Sequence, residues 1–75
     1  MELDANHSIK DTLARAQSEK TTVEACLRSG QSLKGKVLGV GDHHAVIGHL
    51  AGREFFDAQV RIDDISAVIL QTRTS

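Results

Sequence analysis

The chain predicts a mostly β domain with one N-terminal α-helix. Two rhythms carry that prediction: apolar residues recur at helical spacing between residues 9 and 16, and at every second position once Thr21 is passed. A third observation refines it. Gly35 and Gly39 fall inside the second alternating run, where glycine marks a bend or a bulge, so the five short strands that follow the helix should curl into a small, strongly bent antiparallel barrel.

The helix should run over about residues 8–19. Ser8 stands three residues before Asp11, a capping box with Asp in the place of Glu, and Ile9, Leu13 and Ala16 then form an apolar stripe. Asp11 with Arg15, and Arg15 with Glu19, are charge pairs on the solvent side. The stripe is thin, and an isolated helix of this length is marginal in water, so it must lie on the strands.

The strands span about residues 22–71. Val23, Ala25 and Leu27 alternate with polar neighbours until the turn around Gly30. On the second strand Leu33, Gly35 and Val37 share one face, and Lys34, Lys36, Leu38 and Val40 the other. Residues 45–50 read as a third strand and Ala51-Gly52 as a tight turn. Phe56, Ala58, Val60 and Ile62 form the inward row of a fourth, with Phe56 in the core and Phe55 pointing out towards another subunit. Asp63-Asp64 makes a corner before a fifth strand over residues 65–71. One domain over residues 8–71 results, with flexible ends at 1–7 and 72–75.

Composition bounds the function. Seventy-five residues make one domain, whose small core leaves burial and ordering entropy nearly balanced, and the single cysteine, Cys26, excludes an intrachain disulfide. A homo-oligomer is therefore expected. Nine Lys and Arg against ten Asp and Glu give a net charge of −1, which supplies no bulk attraction to nucleic acid or to an anionic membrane. With neither a signal pattern nor an apolar span, a cytoplasmic protein without a membrane partner is the expectation.

The order of one helix and five strands, the second bent at glycine, resembles the Sm-like proteins, and two motifs extend the likeness. Val23, Ala25 and Leu27, then Gly30, Gly35, Val37 and Val40, match the first Sm motif; Val60, Arg61, Ile65, Val68 and Leu70 match the second. The resemblance covers roughly residues 7–71 and is that of a divergent member of the bacterial, Hfq-like branch. It implies an SH3-like small barrel capped by the helix, a ring of roughly five to seven copies joined strand four to strand five, and RNA at the inner rim. Gly30, Gly35 and Gly39 would be the structural glycines.

The nucleotide site departs from that pattern. Gly41 stands where the family has Asp, with Asp42 one place late, and Ala45 or Val46 occupies the Asn position of the RNA-binding loop. Ile62 replaces the glycine after Arg61, and the Tyr-Lys-His run of the Hfq branch reads Arg61-Ile62-Asp63. The base-stacking aromatic is absent or replaced by His43 or His44. Of the family's contacts only Arg61 carries over.

The residues expected to touch RNA are accordingly Lys34, Lys36, His44 and Arg61, with Arg53 a further cation. With two Phe as the only aromatics, phosphate contacts should dominate and sequence preference should be weak. DNA is not expected as a partner. His43, His44 and His49 do not complete a metal set, Asp63 and Asp64 suit a turn, and no nucleophile-base pair or phosphate loop is present, so neither a cofactor nor catalysis is expected. The alternative to RNA binding is a homo-oligomeric scaffold or protein-interaction module that has lost the nucleotide site.

Overall fold

The computed structural model describes residue 3 and residues 5–71. Helix α1 (Ile9–Glu19) precedes strands β1 (Thr22–Leu27), β2 (Ser32–Val40), β3 (His44–Gly48), β4 (Ala58–Arg61) and β5 (Ile65–Leu70), with one 3₁₀ turn at Ile62–Asp64 before β5. The chain is thus mostly β with one helix, and its strands form a single antiparallel sheet in the order β4-β3-β2-β1-β5.

The helix begins where its cap places it. The Ser8 hydroxyl accepts from the Asp11 amide at 3.1 Å, and the Asp11 carboxylate accepts from the Ser8 amide at 3.4 Å, so two otherwise orphaned donors are satisfied. Lys20 ends the helix in a left-handed conformation at φ 56°, and Thr21 N–H returns to the Ala16 carbonyl. The apolar stripe docks chiefly on β2 and less on β5. Leu13 and Ala16 are fully buried there, with Val23, Ala25, Val37, Ala45, Ile47, Val60 and Ile65 as the sheet's contribution to the core.

The five strands form a bent antiparallel sheet that does not close into the expected barrel: β4 and β5 lie at opposite edges. The corner between them is tied to the β1–β2 turn instead, because Arg28 N–H donates to the Asp64 carbonyl at 2.8 Å. The sheet bends without closing. A Cβ on Gly35 would meet the Gly48 carbonyl and lie 3.1 Å from Ile47 Cγ2, which marks where β2 and β3 fold towards each other.

Three further expectations need correction. Val40, placed on the outer row with Lys34 and Lys36, packs against the core, because the register shifts between Val37 and Gly39 and turns the end of β2 over. The third strand stops at Gly48, since His49 adopts a left-handed φ of 51° that breaks the ladder. Phe56 is not core: it is 61 % exposed. Arg53 N–H donates to the Leu50 carbonyl and Phe56 N–H to the Arg53 carbonyl, so successive turns occupy this loop and alternation begins only at Ala58. The expected tail at 72–75 lies outside the described residues, as do residues 1, 2 and 4 of the N-terminal segment.

Candidate nucleic-acid interface

Two loops meet at one end of the sheet. Gly41 N–H donates to the His44 carbonyl at 2.8 Å and closes the β2–β3 turn, while Ile62 N–H donates to the His43 carbonyl at 2.9 Å and pins the β4–β5 corner beside it. His44 and Arg61 are direct cross-strand partners, both exposed, so their side chains stand as neighbours on the outer face. Lys10 Nζ reaches Asp42 Oδ1 at 3.3 Å and ties the first turn of the helix to the same end. The pair is exposed on both sides and adds little stability.

Lys34 and Lys36 do not belong to that end. They stand on the outer face of β2, opposite Glu24 and Thr22 of β1 respectively. Lys36 is also opposite Gly48 of β3, four residues from His44, which separates it from the His44–Arg61 pair by about 13 Å along the strand. The four residues form two groups, and Glu24 offsets the charge of one. Lys34 lines an open hollow of about 230 Å³ with Ser32, Gln31 and Arg53, a polar recess with two cations at its rim.

The two positions in the Asn slot are both in strand β3. Ala45 is buried against the core opposite Val60, and Val46 faces outward opposite Gln59. Neither presents a polar group to a base edge. Gly30 holds φ +94° in the β1–β2 turn, a conformation open to glycine, whereas a Cβ on Gly39 would meet nothing within 4 Å.

Sequence reasoning passed over two residues that shape this region. A Cβ on buried Gly48 would meet the Leu38 side chain and approach Asp57 Oδ1 to 2.6 Å, so any larger residue there must displace these two exposed side chains. Its signal is a glycine between Ile47 and His49 in an otherwise alternating run. Gln17 donates from Nε2 to the Leu38 carbonyl at 3.0 Å, satisfying a backbone group at the register shift. Nothing in the helical pattern singles it out.

Among the described residues no three His, Cys, Asp or Glu side chains gather as a metal set, and no helix is long and apolar enough to cross a membrane. No family model matches the chain, and no curated protein matches it.

Proposed function

We propose that the chain is an Sm-like subunit that assembles head to tail into a ring of roughly five to seven copies and binds single-stranded RNA with weak sequence preference. The observation that carries this reading is the junction of the β2–β3 turn with the β4–β5 corner through Ile62 and His43, which sets His44 and Arg61 side by side. A ring repeats that pair once per subunit, and multivalency then raises the avidity of a weak single site. Edges support the assembly. Strand β5, Ile-Ser-Ala-Val-Ile-Leu, pairs with β1 on one side and presents on its other side a sheet edge of backbone N–H and C=O groups, which a second chain can extend.

The second reading, a ring or other homo-oligomer used as a scaffold, draws on a different observation. Ala45 is in the core, and Glu24 stands opposite Lys34, so the outer face is electrically mixed where a nucleotide-binding face would be basic. Neither reading involves catalysis.

Binding of oligo-U and oligo-A as a function of salt separates the two. Under the RNA reading affinity falls steeply with salt, and Lys34→Ala with Lys36→Ala weakens both oligonucleotides about equally, with a shallower salt slope, because phosphates rather than bases are contacted. Arg61→Ala should weaken binding further. Absence of binding at low salt by an assembled protein selects the scaffold.

A further inference from the structure

Strand β3 covers only part of β2. Its last residue, Gly48, stands opposite Lys36, and His49 then turns left-handed, so the start of β2 has β1 on one side and no strand on the other. In an antiparallel pair the N–H and C=O of one residue point the same way, and the direction alternates along the strand. Leu27 N–H donates to the Gln31 carbonyl, so Gln31 and Leu33 face β1. Ala51 N–H donates to the Lys34 carbonyl at 2.8 Å, so Lys34 and Ser32 face the open side. The Ser32 and Lys34 amides and the Ser32 carbonyl therefore point into the gap, where none has a protein partner among the described residues.

This gap is the hollow of about 230 Å³ that Lys34 shares with Arg53, with Leu33 and buried Leu50 among its lining residues. It has room for a tetrahedral oxyanion, since one water takes ~30 Å³ in the liquid. Neither Lys34 nor Arg53 has an ion-pair partner among the described residues. Glu24, which stands opposite Lys34 on β1, does not line the hollow. Two backbone donors and two unpaired cations thus border one recess that has no carboxylate in its wall.

We propose that this hollow is a binding site for free inorganic phosphate, taken as hydrogen phosphate. Successive backbone amides that point into one concavity attract anions, and the guanidinium of Arg53 presents a fork that matches two phosphate oxygens. The Ser32 carbonyl decides which anion. It is an acceptor in the same wall, and it is satisfied only by an anion that carries a proton of its own. Hydrogen phosphate donates its P–O–H there and accepts from the amides and cations with its other oxygens. Sulfate and a phosphodiester carry no such proton at neutral pH, and each would set an oxygen against the carbonyl. The site is therefore distinct from a contact with the RNA backbone, and it does not rest on the RNA reading.

Titration of the protein at neutral pH and constant ionic strength, followed by nuclear magnetic resonance, tests the site with three probes: inorganic phosphate, sulfate and dimethyl phosphate. With phosphate the Ser32 and Lys34 amide resonances should move along one saturating curve, while that of Lys36, which is paired with Gly48, stays in place. Sulfate and dimethyl phosphate should need about tenfold higher concentrations for the same response, the effect of one unmatched polar group. Arg53→Gln should weaken phosphate binding by about tenfold through loss of a charged donor. Ser32→Pro removes one amide donor at the first residue of β2, a position where proline is tolerated, and should weaken it about as much while far-ultraviolet circular dichroism stays that of the parent. Shifts that grow linearly without saturation overturn the site, and so does unchanged phosphate affinity in Arg53→Gln. Equal affinity for phosphate and sulfate overturns the role of the Ser32 carbonyl and with it the choice of ligand. Equal affinity for phosphate and dimethyl phosphate makes the hollow a phosphodiester contact, which overturns the inference in favour of RNA.

Discussion

The β1–β2 and β3–β4 hairpins are made from similar alternating sequence, yet they end in different places. Strand β1 has a partner on each side, β2 and β5, and the helix packs its stripe against the same inner face. Its apolar residues have one place to go, and Val23 and Ala25 are buried there. Strand β4 has a single partner and four residues, and the loop before it carries the two phenylalanines into solvent. Alternation therefore decides position wherever a strand is paired, Ala58 and Val60 of edge strand β4 included, and ceases to decide it in the loop, where hydrogen-bonded turns leave the aromatic groups exposed.

The sharpest test of that contrast compares two large apolar side chains. Leu13 is fully buried under the sheet, and Leu13→Ala should cost about 3 kcal/mol through lost transfer energy and an unfilled cavity. Phe56→Ala, measured by denaturant unfolding in solution dilute enough to suppress association, should cost less than about 0.5 kcal/mol because little burial is lost. Comparable losses would show that the loop belongs to the core of the single chain and would break the comparison.

A second test stays on one strand. Gly35→Val places a branched side chain against the Gly48 carbonyl and Ile47 Cγ2, and should destabilise by about 2 kcal/mol. Gly39→Ala meets open space and should lie between no change and a gain of about 0.5 kcal/mol. Equal melting temperatures for the two variants would mean that the bend does not lie at Gly35.

What could be read from the sequence follows the same division. The helix, with its Ser8–Asp11 box and its Ile9, Leu13, Ala16 stripe, is legible because local rules suffice, and so are the first two strands around Gly30. Val40 was misplaced because a register shift one residue earlier reverses every later side chain, and neither glycine beside it states on which side the extra residue falls. Phe56 was misplaced because loop turns are set by hydrogen bonds among Leu50, Arg53 and Phe56 that leave no periodic trace. At the candidate interface, the pairing of His44 with Arg61 depends on strand register across a nine-residue loop, which spacing alone does not fix. The separation of Lys34 and Lys36 from that pair has the same origin.

The smallest expected effect tests whether the two hairpins are also separate in their motions. Ser8→Ala removes the acceptor for the Asp11 amide and should cost about 1 kcal/mol. Loosening should be felt first at the helix N-terminus, where Thr12 N–H donates to the Ser8 carbonyl. From there it should reach the register shift in β2, since Gln17 holds the Leu38 carbonyl and the helix docks chiefly on that strand. The turns of the β3–β4 loop depend on neither contact. Amide exchange by nuclear magnetic resonance should therefore accelerate several-fold at Asp11 and Thr12, while Arg53 and Phe56, whose amides close those turns, keep their rates, because loop amides exchange through local opening. Acceleration by one common factor at all four positions would mean that the domain opens as a unit. The loop would then share the stability of the core even though its aromatic side chains lie outside it.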